Sequence, residues 1–532
     1  MSDETMQARY NTVPYPNLSH AHTHPDLLAT IATLLGMQPT PVEHCRVLEL
    51  GCAGAGNLLA MADELPESEF VGIDYSMPHV EQAHAAIAAL GLPNVTVKYA
   101  NILDVDAEYG QFDYIIAHGI YSWVPPTVRE KVLEICRQNL SPQGIAYISY
   151  NTFPGWHNIL MAREIMLYHT RQLTDPQERV NEALRLADFL VDASAQTQND
   201  AYAAFWNAYR RLRPKSSANL GELEFTTVLY DELADFNTPF YFHEFAESAA
   251  LHGLQYLAEA EFATVLATNL PQEILQRVRK MAKNDLVEME QYLDFVRNRF
   301  FRRTLLCHDN VTLDRALKPE RLRNLYVAST AQTVETEPGA DNSATERFRG
   351  ADGALFASDH PITKAAFHHL IDISPRALSF ASLFSTACAQ LGIVTPTEQD
   401  APILAAGLLQ SYCYSPNLIE LHVHAPTFVT EVSERPVASR IARYQAESTG
   451  LVTNRRHLRV DLRGITQPLL LCLDGQHDRA ALLKILTKMV KNGQITLDDD
   501  QHAANPRKYR EMLPQEVEES LQWLAKAALL VG

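Results

Sequence analysis

The stretch VLELGCAGAGN, from Val47 to Asn57, decides the fold of this chain. Its first four residues are apolar except for one acid, Glu49, and they predict the end of a buried strand. The next six residues hold three glycines and two alanines, which predicts a tight turn into a helix. Because a strand, a glycine-rich turn and a helix in this order are typical of nucleotide-binding folds, the stretch predicts a nucleotide site.

Strand and helix patterns alternate from this stretch to about residue 155. Segments predicted as strands are 44–50, 69–76, 94–101, 111–119 and 141–151, and the helices between them are predicted at 57–65, 77–90 and 125–140. Alternation of this kind predicts an α/β fold with a doubly wound, Rossmann-like parallel sheet. Ligands of such sheets bind beyond the carboxyl ends of the strands, so the loops that follow the strands are the candidate site.

The length of 532 residues predicts more than one domain. We expect residues 1–155 and 238–315 to form the nucleotide-binding domain, because strand patterns return late in the second range. Residues 156–237 have helical apolar spacing and are predicted as a helical insertion, a regulatory or middle region. The polar range 316–355 is predicted as a linker or mobile loop. The pattern in 356–532, helices followed by a strand, predicts a mainly α, winged-helix-like domain.

Composition excludes several classes of protein. The formal net charge of −19 argues against a nucleic-acid binder, which needs a basic face. The seven cysteines are scattered without a CxxC pair, which favours reduced thiols and a cytoplasmic protein. The start of the chain does not resemble a signal peptide. No uninterrupted apolar run approaches the roughly 18 residues of a membrane span.

The residues around the glycine turn discriminate between nucleotides. A dinucleotide fingerprint requires glycine at the middle position of G-x-G-x-x-G, where this chain has Ala53. Glu49 stands two residues before Gly51 and would repel a pyrophosphate. S-adenosyl-L-methionine (AdoMet) has no phosphate, and its ammonium and sulfonium suit a nearby carboxylate. We therefore predict AdoMet as the cofactor; the alternative is a turn whose glycines serve only helix–strand packing.

Further cofactor residues are predicted at the ends of the other strands. Asp74 ends the second strand, where a carboxylate can accept both ribose hydroxyls, and Asn101 and Ile102 follow the third strand, near the expected adenine. Tyr15 belongs to an N-terminal arm that either covers the cofactor or simply packs on the domain. The predicted cofactor-binding residues are Tyr15, Glu49, Gly51, Cys52, Ala53, Asn57, Asp74, Tyr75, Asn101, Ile102 and His118.

A resemblance to class I AdoMet-dependent methyltransferases is carried by four segments, VLELGCAGAGN, VGIDYS, FDYIIAHGIYSWVP and ISYNTFPGW. Other segments narrow it to bacterial methyltransferases with a methyltransferase regulatory domain: YNTVPYPNLSHAHTHP, QYLDFVRNRFFRRTLLCH, RPVASRIARYQA and LCLDGQHDRAALLKIL. That group includes protein-lysine methyltransferases that act on rickettsial outer membrane protein B. The resemblance covers most of the chain and implies a protein lysine as methyl acceptor. The family's turn usually reads GCASGGN, whereas Gly54 and Ala55 exchange the small residues here.

A lysine acceptor must lose a proton before it can attack, and burial beside aromatic rings lowers the pKa of an amine. The loop after the fourth strand supplies Tyr121 and Trp123, whose rings can hold a cation. Asn151 follows the fifth strand and can accept a hydrogen bond from an amine. These three residues are the predicted acceptor site; the alternative is that they pack between loop and helix. No residue compels a general-base role.

Nothing in composition or spacing identifies the acceptor atom. A small-molecule methyltransferase of the same fold and a non-catalytic AdoMet-binding interaction protein are the alternatives to a protein-lysine methyltransferase. A homodimer is an expectation from the helical insertion and the C-terminal region. A basic group comprises Arg297, Arg299, Arg302 and Arg303. It could contact an acidic partner, but we favour pairing with acids of the same chain.

Three histidines alternate in the N-terminal segment HAHTH, namely His20, His22 and His24. Such spacing is compatible with a metal site, but no acid or cysteine stands beside them in the segment. Thr23 and Asp26 instead predict a capping box at the start of a helix. We therefore predict no metal.

Overall fold

The computed structural model describes residue 13 and the ranges 15–197, 199–212, 225–266, 270–334, 345–495 and 506–532. A seven-stranded sheet forms its centre, in the order β3-β2-β1-β4-β5-β7-β6. The strands are Arg46–Leu50 (β1), Glu69–Asp74 (β2), Val95–Tyr99 (β3), Phe112–Ala117 (β4), Leu140–Asn151 (β5), Leu254–Glu259 (β6) and Phe301–His308 (β7). Strand β7 runs antiparallel to both of its neighbours, whereas β1 to β5 pair in parallel. The predicted doubly wound sheet is confirmed.

Helices cover both faces of this sheet. They are Pro25–Leu34 (α1), Gly56–Glu64 (α2), Met77–Leu90 (α3), Pro126–Asn139 (α4) and Phe242–Leu251. Proline begins α4, and Gly91 ends α3 with a φ of +61°, as proline and glycine commonly do at helix ends. Because both faces are covered, the buried part of β1, from Val47 to Leu50, is apolar apart from Glu49, as expected of a buried parallel strand.

The predicted insertion contains the helices Trp156–Thr170, Pro176–Ser194 and Asp200–Leu212. Their apolar faces meet in a separate core that includes Met166, Trp206 and Leu233. Residue 198 and residues 213–224 of the predicted insertion lie outside the described part of the chain.

The range 316–355, expected to be a linker, is folded wherever the structure describes it. It contains a 3₁₀ turn, Pro319–Asn324, and the short strands Tyr326–Ala328, Gln332–Thr333, Glu346–Arg349 and Leu355–Ser358. Three of its apolar side chains, Leu322, Val327 and Phe348, are fully buried in the core on one face of the sheet. These buried residues are few in a mostly polar segment, so the composition did not predict a folded segment. Residues 335–344 lie outside the described ranges.

The range 356–532 divides into two parts. The helices Pro361–Asp372, Phe380–Gln390 and Asp400–Tyr414 share the core of the central sheet. A separate core begins only after the strand Glu420–His422. It joins the helices Arg440–Ala446, Thr466–Leu471, Arg479–Lys491 and Pro506–Lys526 to the hairpin Leu451–Thr453 and Arg459–Asp461.

This C-terminal unit is fastened to the central domain by polar contacts. Arg455 Nη1 lies 2.7 Å from Asp63 Oδ2, and Arg440 donates to the Leu90 carbonyl at 3.0 Å. Asp63 lies in α2, so the unit is held beside the helix that begins at the glycine turn. Among the described residues, no helix combines the length and apolar character needed to cross a membrane.

Candidate cofactor site

A pocket opens at the carboxyl ends of β1, β2 and β4. Every residue predicted to bind the cofactor, from Tyr15 to His118, contributes to its lining, and so does Trp123. Tyr121 and Asn151 do not. The sheet brings these residues together because the ends of parallel strands meet at one edge.

The glycine turn depends on small residues at crowded positions. Gly51, Ala53 and Ala55 all have positive φ, of +69°, +47° and +62°. A left-handed conformation costs a non-glycine residue about 1–2 kcal/mol, so the exchange that places alanine at position 55 strains the start of α2. A side chain on Gly54 would collide with Gln82, and one on Gly56 with Asn17.

Glu49 is the buried acid of the pocket. Asn57 Nδ2 donates to Glu49 Oε1 at 2.7 Å, while Oε2 is buried and has no partner among the described residues. Burial raises the pKa of the Glu49 carboxyl to about 8. A buried carboxylate is stable only when it is paired with a cation. The described side chains supply no such cation to Glu49.

Asp74 lies at the opposite side of the glycine turn. Its two oxygens accept hydrogen bonds from the backbone N–H groups of Ala53 and Ser76, each at 2.9 Å. Beside it, the rings of Tyr75 and Tyr99 stack with centroids 5.6 Å apart. The carboxylate is therefore fixed by the turn and faces the pocket.

Asn101 lies at the end of β3. Its side chain accepts from the N–H of Leu103 at 3.0 Å and so caps the 3₁₀ turn Ile102–Asp104. This capping fixes the segment that lines the far end of the pocket.

The N-terminal arm covers the turn, and sequence reasoning identified only Tyr15 in it. Asn17 Nδ2 donates to the Gly54 carbonyl at 3.0 Å, and Asn17 Oδ1 accepts from the N–H of Gly56. The Tyr15 N–H donates to His79 Nε2 at 3.1 Å. The lining residues that were missed include Asn17, Leu18, His20, His79 and Ile120. The only signal for the arm was its content of aromatic residues and prolines.

Two residues of the predicted acceptor site serve packing instead. Tyr121 is buried, and its ring contacts Phe240 and Phe245 at centroid distances of 5.3 and 5.2 Å. Asn151 is also buried and donates to Asn237 Oδ1 at 3.0 Å. Trp123 differs, because it lines the pocket and its Nε1 is buried without a partner in the described ranges.

Two histidine rings lie close together, tilted by 36°, on the pocket wall. The rings of His20 and His118 have centroids 3.8 Å apart, and His118 Nδ1 is 3.0 Å from the Tyr147 hydroxyl. Burial, with the nearby Arg303, lowers the pKa of His118 to about 3. Burial and His118 lower the pKa of His20 well below its usual value. Both rings are therefore neutral near pH 7.

The other histidines of the segment have separate contacts. His24, and not the expected Thr23, caps α1, since its Nδ1 accepts from the N–H of Asp26. The Thr23 hydroxyl donates instead to the His20 carbonyl at 2.8 Å. His22 lies 3.9 Å from Glu261. Among the described residues, no group of three His, Cys, Asp or Glu side chains could hold a metal.

Three family models match this chain. A methyltransferase domain matches residues 47–144, and a predicted methyltransferase regulatory domain matches residues 225–308. The C-terminal winged helix domain of PKMT matches residues 434–529, the unit with a separate core. The regulatory-domain model includes β6 and β7 of the central sheet.

Relatives extend the similarity over the whole chain. The Rickettsia prowazekii protein RP789 is 33% identical and covers 98% of this chain and 93% of its own length. The structure of PKMT2 from Rickettsia typhi in complex with AdoHcy is 30% identical, with a TM-score of 0.82. It covers 98% of this chain and 100% of its own.

The fold and the pocket define a class I AdoMet-dependent methyltransferase. Three features are typical of that class: the sheet order, an acid at the end of β1 and a second acid at the end of β2. Within it, this chain belongs to the PKMT family, whose winged helix domain it carries and whose member PKMT2 it matches along its full length.

Proposed function

We propose that this protein transfers methyl groups from AdoMet to lysine side chains of another protein. The observation that carries the proposal is Oε2 of buried Glu49, which has no partner within the described ranges, in a chain that matches PKMT2 over 98% of its length. The PKMT2 structure contains AdoHcy, the demethylated form of AdoMet. Lysine as the acceptor is supported by the family resemblance.

The pocket residues match the chemistry of this cofactor. The Glu49 carboxylate would pair with the ammonium of AdoMet, and Asp74 would accept from the ribose hydroxyls. Ile102 and Asn101 would border the adenine. When bound, AdoMet supplies a methyl group activated by a sulfonium.

The side chains of His20, His118 and Trp123 would exclude water from the bound lysine and align its amine with the methyl group. Positioning alone can supply roughly 7–11 kcal/mol in a displacement of this kind. The neutral rings of His20 and His118 add no positive charge beside the sulfonium, and a neutral imidazole nitrogen can accept from an amine. Trp123 presents an aromatic ring on the same lining. The net charge of −19 would attract a cationic protein segment.

A reducing compartment is also part of the proposal. All seven cysteines are free thiols, and six of them are buried. Oxidation is therefore not needed to hold the fold, which supports a cytoplasmic location.

The test uses AdoMet labelled in its methyl group and a lysate of the source cell. The protein transfers label to a protein band, and acid hydrolysis of that band releases labelled methyl-lysine. Glu49→Gln is the matched control and should lose the transfer. Label confined to the small-molecule fraction, or methylation of a residue other than lysine, would refute the proposed acceptor.

A further inference from the structure

A second cavity of about 430 Å³ lies where the N-terminal segment, the central domain and the C-terminal unit meet. Its lining includes His24, Glu64, Tyr412, His422, Arg456 and His457. Its volume falls within the usual range of small-molecule sites, about 300–1,000 Å³. Leu458, which is 38% exposed, also contributes to the lining, so the cavity reaches the surface. None of these residues lines the cofactor pocket.

Three buried polar atoms of this lining have no hydrogen-bond partner among the described residues. They are His24 Nε2, His457 Nδ1 and the Tyr412 hydroxyl, on residues that are 7%, 3% and 5% exposed. Glu64 Oε2 lies 3.7 Å from His24 Nε2, which is beyond hydrogen-bond distance. Buried polar atoms in proteins are nearly always satisfied. Three such atoms on one cavity wall therefore point to a ligand that satisfies them.

Neighbouring hydrogen bonds fix which of the two imidazoles donates. His24 Nδ1 accepts from the N–H of Asp26 at 3.2 Å, so Nε2 carries the proton and is a donor. Asn57 donates to Glu49 through Nδ2, so its Oδ1 is the acceptor that lies 2.8 Å from His457 Nε2. His457 Nε2 therefore carries the proton, and Nδ1 is left as an acceptor without a partner among the described residues.

The formal charges of the lining cancel. His422 lies 2.7 Å from Asp26, and Arg456 pairs with both oxygens of Glu420 at 2.5 Å. Against the effect of burial, Asp26 and Glu420 raise the pKa of His422 to about 10, so that ring is charged. Two cations thus face two carboxylates.

The remaining titratable groups of this wall are neutral near pH 7. Burial lowers the pKa of His22 to about 4 and of His24 and His457 to about 3, and it raises the pKa of Glu64 to about 8. Among these side chains the cavity offers a donor, an acceptor and a hydroxyl, with no unpaired charge.

We propose that this cavity is a second ligand site, which binds an uncharged, polyhydroxylated molecule of sugar size. Hydroxyl groups donate and accept at once, so one such molecule can satisfy His24, His457 and Tyr412 together. An anion or a cation would enter without a counter-charge, and burying an unpaired charge is costly. The cavity adjoins the cofactor pocket, since His457 contacts Asn57, but the proposal does not depend on the proposed methyl acceptor.

The test is a ligand-observed NMR titration of the full-length protein with AdoHcy present. Neutral probes are glucose, myo-inositol and sucrose; charged analogues are glucosamine and glucuronate. We expect at least one neutral probe to bind and both charged analogues to bind at least tenfold more weakly. Binding of no neutral probe would mean that the cavity holds only water and would overturn the proposal. Equal binding of a charged analogue would also overturn it.

Two variants, each lacking one tyrosine hydroxyl, test whether the neutral probe binds in this cavity. Tyr412→Phe should weaken binding of the neutral probe about tenfold. Tyr256→Phe is the matched control, because the Tyr256 hydroxyl is also buried without a partner among the described residues but lies away from the cavity. Equal binding by the wild type and Tyr412→Phe, or a loss in Tyr256→Phe, would refute the assignment.

Discussion

Two regions of this protein bury carboxylates in different ways. Around Arg302, the chain supplies the cation itself: the guanidinium donates to Asp294 at 2.8 Å, to Glu259 at 2.6 Å and to Glu290 at 3.1 Å. At Glu49, the only side-chain donor among the described residues is the neutral amide of Asn57. Both regions are buried in the same sheet, but the chain supplies a cation only to the acids around Arg302.

This difference distinguishes the structural ion-pair network around Arg302 from the binding site at Glu49. A buried carboxylate is expensive unless a cation offsets the lost hydration. Arg302 provides that cation permanently, so its acids hold β6 and β7 to the helix Leu286–Arg297. Glu49 lacks one, and the cofactor ammonium is the cation that would complete it. The pairing of the basic group with acids of its own chain, favoured from the sequence, is confirmed for Arg299, Arg302 and Arg303.

The largest expected effect comes from removing the internal cation. Arg302→Met leaves three carboxylates buried without their main partner and should lower the free energy of unfolding by about 3–5 kcal/mol. Urea denaturation measures this loss. Arg277→Met is the control, since Arg277 forms an exposed ion pair with Glu273 and its loss should hardly change stability. Equal stability of the two variants would show that the Arg302 network is not structural.

Removal of the carboxylate that lacks a cation should have the opposite consequence. Glu49→Gln keeps the shape of the protonated acid and removes the proton uptake that the raised pKa of Glu49 imposes on folding, so stability at pH 7 should rise. It loses the charge that pairs with the ammonium, and AdoHcy affinity should fall by about 1.5–3 kcal/mol, roughly 10- to 150-fold. Titration calorimetry measures the affinity. Glu290→Gln, in the Arg302 network, should leave AdoHcy affinity intact; a similar loss in both variants would abolish the distinction.

Asp74 extends the comparison to the second acid of the pocket. Backbone N–H groups hold it in place, but no Lys or Arg pairs with it among the described residues. Asp74→Ala should lower AdoHcy affinity by about 1–3 kcal/mol, because the charged acceptor for the ribose hydroxyls is lost. Asp104→Ala, on the exposed turn after β3, is the control for calorimetry. Unchanged affinity in Asp74→Ala would remove this residue from the site.

The sequence predicted the sheet and the strand-end residues of the cofactor pocket, because local patterns determine both. Apolar runs specify the strands, and the polar residues at their carboxyl ends converge whenever the sheet is parallel. Glu49, Asp74 and Asn101 needed no knowledge of distant contacts. Ala55 shows the limit of this reasoning, since only the structure reveals that the exchanged alanine has a left-handed backbone.

The rest of the site depends on contacts between distant parts of the chain. His457 bonds Asn57 across 400 residues, and Asn17 caps a turn that lies 39 residues away. Tyr121 follows the same strand as His118 but turns into an aromatic cluster with Phe240 and Phe245. No periodicity encodes such packing. The folded parts of 316–355 were missed for the same reason, because a few buried residues such as Phe348 anchor a polar segment.

The pH dependence of AdoHcy binding is the smallest expected effect. It tests the difference between Glu49 and the acids around Arg302 without a substitution. Burial raises the pKa of Glu49 to about 8 in the free protein, so the acid is mostly protonated at pH 6–7. Pairing with the cofactor ammonium favours the carboxylate, and binding therefore releases a proton. Affinity must then rise with pH in this window, by up to about tenfold per unit. The α-amino group of AdoHcy stays charged there, since such groups titrate near 7.7–8.0.

Calorimetry in two buffers with different ionisation enthalpies counts the released protons. We expect nearly one proton per AdoHcy at pH 6.5 for the wild type and none for Glu49→Gln. The histidines on the pocket wall cannot produce this signal, because the lowered pKa values of His20 and His118 leave both rings neutral throughout the window. A proton count that is the same in both proteins would assign the release to another group, and Glu49 would then not be the carboxylate that receives the ammonium.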